Sequence, residues 1–440
     1  MSFHGADQQL TQHSYYAATA PRGQGYAPLQ VNVECDVAIV GGGLAGLSAA
    51  IELADRGYGV VLLEAQQVGW GASGRNGGQV IAGLACDQQV IESQLGLDAS
   101  KRVWGMTMEA LRLVTERCER FAIACDWRPG YLSLAVSARK ARALQTWQAH
   151  MQRDYGYDTQ WIAPERMQDW IASPRFHSGL HDPLGGHLHP LKYSLGLARA
   201  AAGLGVRIHE GSAVTTIEPG NTVRLLTATG AVRASHVLLA GNVYLGGVAP
   251  MLAKRIMPVG TYIVASEPIE PALARSLVPS QSAVCDTNFV LDYFRPTADY
   301  RMLYGGRVSY STATPVNLAA GMQARMARTF PQLARTKVEF AWGGFVDISM
   351  NRAPDFGRLS QVASGPGRTW SNVYYLQGFS GHGLALTGLA GKLVAEAIGG
   401  DAQRFDTFSR IRHRSFPGGK LLRTPALVLG MAYYRLRDML

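Results

Sequence analysis

"VAIVGGGLAGLSAA", residues 37–50, sets four small apolar residues ahead of three successive glycines and then enters a stretch with helical spacing. Val37 to Val40 read as a buried parallel strand. From Leu44 to Arg56, the residues Leu44, Leu47, Ala50, Ile51 and Leu53 recur on one helical face until Gly57 ends the pattern. A second strand, Gly59 to Leu63, follows. Gly41, Gly43 and Gly46 thus make G-x-G-x-x-G inside a compact βαβ unit. The first glycine permits the tight turn, the second lets backbone approach a pyrophosphate, and the third lets helix and strand touch. Leu44 and Ala45 open the helix, whose N–H groups and positive dipole end suit phosphates. Glu64, with Ala65 beside it, closes the second strand 18 residues after Gly46. A carboxylate there accepts from ribose hydroxyls and repels a 2′-phosphate.

A chain of 440 residues buries a large core and is expected to form two domains. Hydrophobic residues make up 47%, yet no apolar run approaches the ~20 residues that span a bilayer, so no integral membrane span is expected. Residues 1–30 are polar and lack the apolar core of a secretory signal, which leaves the cytoplasm as the expected location. Cys35, Cys86, Cys118, Cys125 and Cys285 are widely spaced without C-x-x-C, which argues for reduced thiols. His181, His187 and His189 in "HDPLGGHLH" invite a metal reading, but no cysteine or carboxylate supports them, and no metal is expected. The formal charge is +10, with Arg410, Arg412, Arg414, Lys420 and Arg423 clustered late. No nucleic-acid-binding pattern accompanies it, so a solvated surface with some attraction for anionic substrates is the better reading, and no nucleic-acid partner is expected.

Two further glycine loops favour a flavin over a nicotinamide. "GWGASGRNGGQ", residues 69–79, offers Gly71, Ala72, Ser73, Arg75, Asn76, Gly77, Gly78 and Gln79 as a second place for close backbone approach. A ribityl chain and tricyclic ring need such backbone along their length, whereas a nicotinamide needs only the first βαβ unit. Residues 374–398, "YYLQGFSGHGLALTGLAGKLVAEAI", read as a strand, a turn holding Gly378, Phe379, Ser380, Gly381, His382 and Gly383, and a helix with Leu386, Leu389, Leu393 and Ala397 on its apolar face. The N-terminus of that helix can face an anion, as the reduced flavin's N1–C2 edge requires.

These three elements resemble the D-amino-acid oxidase (DAO) superfamily of FAD enzymes. "SYYAATA" (14–20), "LDYFRP" (291–296), "WGGFVDISMNRAPDFGR" (342–358), "GFSGHG" and "FPGGKLLRTPALVLGMAYYRLRD" (416–438) are similar to a branch of it that acts on γ-glutamylputrescine, over nearly the whole chain. The resemblance implies an α/β (α+β two-domain) fold: a Rossmann-like FAD/NAD(P)-binding domain with a second, antiparallel-sheet substrate domain. An N-terminal arm (1–32) would precede a discontinuous FAD domain (33–115, 185–255 and 338–415), with Gly241 of "HVLLAGN" at the cofactor. The substrate domain would take 116–184 and 256–337, and 416–440 would form a tail helix that docks on the protein, a second copy or a membrane surface. The implied reaction passes hydride from the carbon bearing nitrogen to flavin N5, after which water hydrolyses the imine. The electron acceptor would be O2 or a quinone.

Attachment residues that the resemblance would require for a covalent flavin, a cysteine after the strand around Phe340–Gly344 or a histidine in the 69–78 loop, are lacking, so noncovalent FAD is expected. His382 would sit near the flavin's anionic edge, or else make a structural hydrogen bond within the turn. Trp342 would line the ring region, unless it is a core residue. Relatives that oxidise glycine or D-amino acids hold the substrate carboxylate with an arginine where Val346 stands, glycine oxidases have a second where Gly381 stands, and sarcosine oxidases use a lysine where Ala385 stands. A buried carboxylate without a cation is strongly disfavoured. The expected substrate is therefore an amine whose reacting carbon bears no carboxylate, γ-glutamylputrescine or a related amine, with a D-amino-acid, glycine or sarcosine-type oxidase or dehydrogenase as the alternative and a tRNA-modifying flavoenzyme behind it. Asp347 would attract an ammonium or pair with Arg352. Tyr293, Arg295, Arg307 and Arg352 are the candidates for holding the rest of the substrate.

Overall fold

The computed structural model describes residues 13–309, 317–362 and 370–417. The opening motif folds as strand Val33–Val40, helix Leu44–Asp55 and strand Val60–Leu63. Residues 37–39 and 60–63 are buried on both sides, as befits parallel strands covered by helices. Both strands belong to an eight-stranded sheet whose main order is Asp355–Arg358, Val373–Gln377, Ala231–Leu239, Val33–Val40, Val60–Leu63, Arg207–His209. Along this order the first pairing is antiparallel and the other four are parallel. Helices Leu44–Asp55, Leu97–Arg120, Pro190–Gly203 and Gly383–Ile398 share one apolar core over this sheet. Arg117 joins three of them: it donates to Ser48 Oγ and to Glu52 and lies against Gly388. Among the described residues no helix is long and apolar enough to cross a membrane.

The β-rich runs of the middle of the chain build a second, nine-stranded sheet in the order Val338–Ser349, Ile256–Ser266, Met302–Ser309, Tyr293–Pro296, Ala283–Asp286, Arg128–Ala135, Ser178–His187, Gln79–Val80, with Gln160–Ile162 paired to Ser178–His187. All of its pairings are antiparallel except that between Ala283–Asp286 and Arg128–Ala135. One row across it reads Leu180, Ser133, Cys285, Tyr293, Gly305, Ile263, Trp342. The Trp342 end is capped by the short helix Tyr15–Thr19 of the N-terminal arm, whose Tyr15 and Tyr16 pack with Leu191, Ile263, Leu303 and Trp342.

The segment boundary expected at residue 338 is corrected. Val338–Ser349 pairs along its whole length with Ile256–Ser266, and the chain rejoins the first sheet only at Asp355. The hydrophobic content of that strand suits either sheet, and pairing alone decides. The tail helix expected at 416–440 lies almost wholly outside the described residues. His187 and His189 are engaged in structure: His187 Nε2 donates to the Gln281 carbonyl, and His189 Nδ1 accepts from Lys192 N–H as a helix cap. Burial lowers both rings to a pKa of about 3.

The crossing of strand and first helix is the tightest contact in this frame. A Cβ at Gly46 would lie 2.0 Å from the Gly41 carbonyl oxygen, whereas one at Gly203, at the exposed end of Pro190–Gly203, meets nothing within 4 Å. Gly46→Ala is expected to destabilise the fold by at least about 1–3 kcal/mol, and Gly203→Ala to be neutral or stabilising. Equal unfolding midpoints in denaturant for the two variants would contradict this packing.

Candidate active site

Between the two sheets lies a cavity of about 1350 Å³, larger than the roughly 300–1,000 Å³ of drug-sized pockets and suited to a dinucleotide with a second ligand beside it. Its first wall is the opening motif. Gly41, Gly43, Leu44, Ala45, Glu64 and Ala65 all line it. Gly41 has φ +114°, which a side chain would strain. Glu64 accepts from Gly42 N–H at 2.7 Å and Gln66 N–H at 2.8 Å, one through each carboxylate oxygen, which fixes the acid at the mouth of the turn. Burial pushes its pKa up. A Cβ at Gly43 would lie 2.8 Å from Ser73 Oγ, which itself accepts from Leu44 N–H at 2.9 Å. The first and second glycine loops therefore touch at the helix N-terminus. Gly46 does not reach the cavity, because it is used against Gly41.

The second loop supplies Gly71, Ala72, Ser73, Arg75, Asn76, Gly77 and Gln79 to the lining, with Gly241 opposite. Asn76 braces it from within: its Nδ2 donates to the Ala72 and Ser73 carbonyls and its Oδ1 accepts from Gly78 N–H. Two side chains expected at the cofactor ring or the substrate brace it from outside instead, and both expectations are corrected. Trp342 is fully buried and donates from Nε1 to the Arg75 carbonyl at 3.0 Å. It stands three strands, roughly 14 Å, beyond Tyr293, under the N-terminal helix. Arg295 is 3% exposed and donates to the carbonyls of Gly77 and Leu188 and to the Tyr16 hydroxyl, so its charge is absorbed by backbone. Gly78 also misses the cavity: a Cβ there would meet the Leu188 carbonyl at 2.1 Å.

The third loop brings Phe379, Ser380, Gly381, His382 and Gly383 to the lining, whereas Gly378 lies behind it with φ +76°. Asp347 is the loop's anchor. Its carboxylate accepts from the N–H groups of Gly378 and Phe379, and burial raises its pKa to about 6. This buried acid lines the cavity and is held by backbone amides, with no ion pair to Arg352 among the described contacts. His382 Nε2 lies 2.9 Å from the Ala82 carbonyl and must donate to it, leaving Nδ1 as the acceptor. Burial, and secondarily the positive charge of Arg352, lower its pKa to about 4, so the ring is neutral. His382 lines the cavity, and its hydrogen bond leaves the turn for Ala82 rather than staying within it as expected.

The second sheet roofs the cavity with Tyr131, Ser133, Leu180, Asp182, Cys285 and Tyr293. Tyr293 lies over Gly305 and Gly77, where a Cβ would meet its ring at 2.1 and 2.7 Å. Arg352, at φ +60°, lines the cavity with its guanidinium 5.6 Å from the Phe289 ring centroid. Arg307 occupies a strand position opposite Tyr262, and its side chain lies outside the described residues. Val346 and Gly381 line the cavity; Ala385 is buried behind it. Sequence reading missed Trp70, over which Arg75 stacks at 4.2 Å, and its partner Tyr244. Trp70 sits inside the quoted second loop and was legible there. The Tyr131–Asp182 pairing joins strands far apart in the chain, and no local signal marks it.

The glycines that bring backbone to the cavity, the helix N-terminus and the acid at the turn fit an FAD in extended form. Residues 36–397 match the family described as "DAO: FAD dependent oxidoreductase". The chain is 42% identical over 434 residues to γ-glutamylputrescine oxidoreductase of Escherichia coli K12, covering 98% of this chain and all of that one. It is 37% identical over 432 residues to a probable oxidoreductase, OrdL, of Haemophilus influenzae, covering 97% of each. In fold it is similar to glycine oxidase of Geobacillus kaustophilus, with TM-score 0.68, 22% identity and coverage of 83% and 95%. An L-amino acid deaminase from Proteus vulgaris gives TM-score 0.70 at 17% identity, covering 89% and 99%.

Three outcomes follow from this geometry. Acid precipitation should release all of the flavin; colour retained on the polypeptide would contradict the noncovalent site. Glu64→Ala removes two charge-assisted bonds, each of about 1.5–3 kcal/mol, and should leave folded protein with partial flavin, while Gly43→Val should leave none. Equal, wild-type flavin-to-protein ratios in both would contradict the cradle. For Asp347 the folded pKa is raised, so its contribution is present below about 3.8 and is lost as pH rises through about 6. Asp347→Asn should remove on the order of 2–3 kcal/mol of pH dependence in that window, and an unchanged slope of unfolding free energy against pH would refute it.

Proposed function

From a chain that belongs to the DAO family of FAD-dependent oxidoreductases, we propose an enzyme that oxidises γ-glutamylputrescine or a closely related amine at the carbon bearing its primary amine. The observation that carries this reading is that Val346 and Gly381 line the cavity at the positions where arginines would hold a carboxylate on the reacting carbon. An α-carboxylate there would meet valine and glycine, with a penalty of several kcal/mol for an unpaired buried charge. The kinship with the E. coli enzyme, over the full length of both chains, points to the same class of amine.

Bound FAD supplies the two-electron acceptor for hydride from the substrate carbon. The chain's own residues do the rest. The aromatic wall of Tyr293 and Phe345 would disfavour the protonated amine, leaving the nitrogen lone pair available. His382 is held neutral in one tautomer by the Ala82 carbonyl, so it adds no positive charge to compete for the site. Arg352, which lines the cavity beside Phe289, would meet the carboxylate of a γ-glutamyl group away from the reacting carbon. The imine product is hydrolysed by water. We read the first sheet as the FAD domain and the second as the substrate domain, the amine as a small molecule of the cytoplasm, and O2 or a quinone as the final acceptor.

Steady-state assays with γ-glutamylputrescine, putrescine, glycine, sarcosine and D-alanine test the proposal. The expected kcat/KM is highest for γ-glutamylputrescine and lowest for the three amino acids. Efficient turnover of any of those three, with neglect of both putrescine compounds, would overturn it in favour of an amino-acid oxidase.

A further inference from the structure

The cavity is also lined by Trp104, Tyr131, Trp147, Tyr157 and Asp182, on and beside the strands next to that of Cys285. Tyr131 and Asp182 are direct partners on adjacent strands. Gly185 lets them close up: a Cβ there would lie 2.9 Å from Tyr131 Cβ and 3.2 Å from Asp182 Oδ2. Tyr157 forms a corner with two indoles, 4.9 Å from Trp104 at 69° and 6.3 Å from Trp147 at 84°.

Asp182 is 6% exposed. Its Oδ2 accepts from the Tyr157 hydroxyl and its Oδ1 from Leu184 N–H at 2.9 Å. Both donors are neutral, and burial pushes the Tyr157 pKa far up, so it stays so. Among the described residues no Lys, Arg or His pairs with this carboxylate. A carboxylate with about four acceptor positions thus offers two more, in a pocket whose aromatic faces attract cations. Burial of an acid without a counter-ion is costly, and a ligand cation removes that cost.

A γ-glutamyl amine carries an ammonium and a carboxylate on one carbon at the end remote from the reacting amine. We propose that Asp182 and the aromatic corner of Trp104, Tyr131, Trp147 and Tyr157 form the subsite for that remote ammonium, which rests on the substrate class proposed above. Tyr131 and Cys285 lie on paired strands that line the same cavity as Arg352 and Asp182, so the cation for the carboxylate and the acid for the ammonium face one space. The subsite selects the γ-glutamylated amine over simpler N-acyl amines; it takes no part in the oxidation.

The test compares γ-glutamylputrescine with glutarylputrescine, the same skeleton with the remote ammonium replaced by hydrogen. The wild-type enzyme should favour the former in kcat/KM by about tenfold to a hundredfold. Asp182→Asn should abolish the preference by raising KM for γ-glutamylputrescine alone, with kcat, flavin content and the glutaryl compound's kcat/KM kept. Trp147→Leu, at a half-buried helix position that tolerates the change, should cut the preference by about two- to thirtyfold through its lost cation–π contact. Equal turnover of the two compounds by the wild type, or equal losses for both in Asp182→Asn with the preference intact in Trp147→Leu, would overturn the subsite while leaving the proposed function standing. No turnover of either compound would overturn both.

Discussion

The lack of a side chain at Gly46, whose Cβ would fall 2.0 Å from the Gly41 carbonyl oxygen, decides how closely the first helix can approach its strand, and the remaining geometry hangs from it. With the helix that close, its N-terminus opens directly onto the turn, and Glu64 on the neighbouring strand reaches the Gly42 amide. The second loop then meets the same N-terminus through Ser73. A single side chain at residue 46 would push the helix off the strand and part these three elements together.

The second loop is also what ties the two sheets. Trp342 and Arg295, from two strands of the second sheet, both end on its backbone, at Arg75 and Gly77. Asp347 performs the same task for the third loop at Gly378 and Phe379. Glycine-rich backbone lends itself to close approach to a ligand but has no side chains to hold its shape. Side chains from elsewhere therefore supply the rigidity, and their polar atoms are consumed in doing so. The cavity that remains is bounded by fixed loops on one side and a broad aromatic sheet on the other, with neutral His382 and cationic Arg352 near their junction.

The cradle was legible in the sequence because each of its parts is local. Gly41, Gly43, Gly46 and Glu64 lie within a short segment whose strand and helix periods are unambiguous, and the same holds for the turn before Gly383–Ile398. The roles of Trp342, Arg295 and Asp347 were not. Residue type marks each as a tempting ligand group, but which way it is used depends on partners far away in the chain. Trp342 follows from the N-terminal helix lying over its end of the sheet, Arg295 from Gly77 and Leu188, and Asp347 from Gly378. The edge of the second sheet at Val338–Ser349 was misplaced for the same reason: strand pairing is nonlocal, and a buried strand of that composition could serve either sheet.

The proposed chemistry takes hydride from the carbon bearing the primary amine, at a place where no carboxylate is held. Anaerobic mixing of the flavin-loaded protein with γ-glutamylputrescine, carrying either hydrogen or deuterium on that carbon alone, tests it directly through the rate at which the flavin absorbance bleaches. Complete bleaching, slowed severalfold by the deuterium, is expected. Bleaching at one rate for both compounds would place the chemistry on another bond, and no bleaching by either would contradict the claim outright.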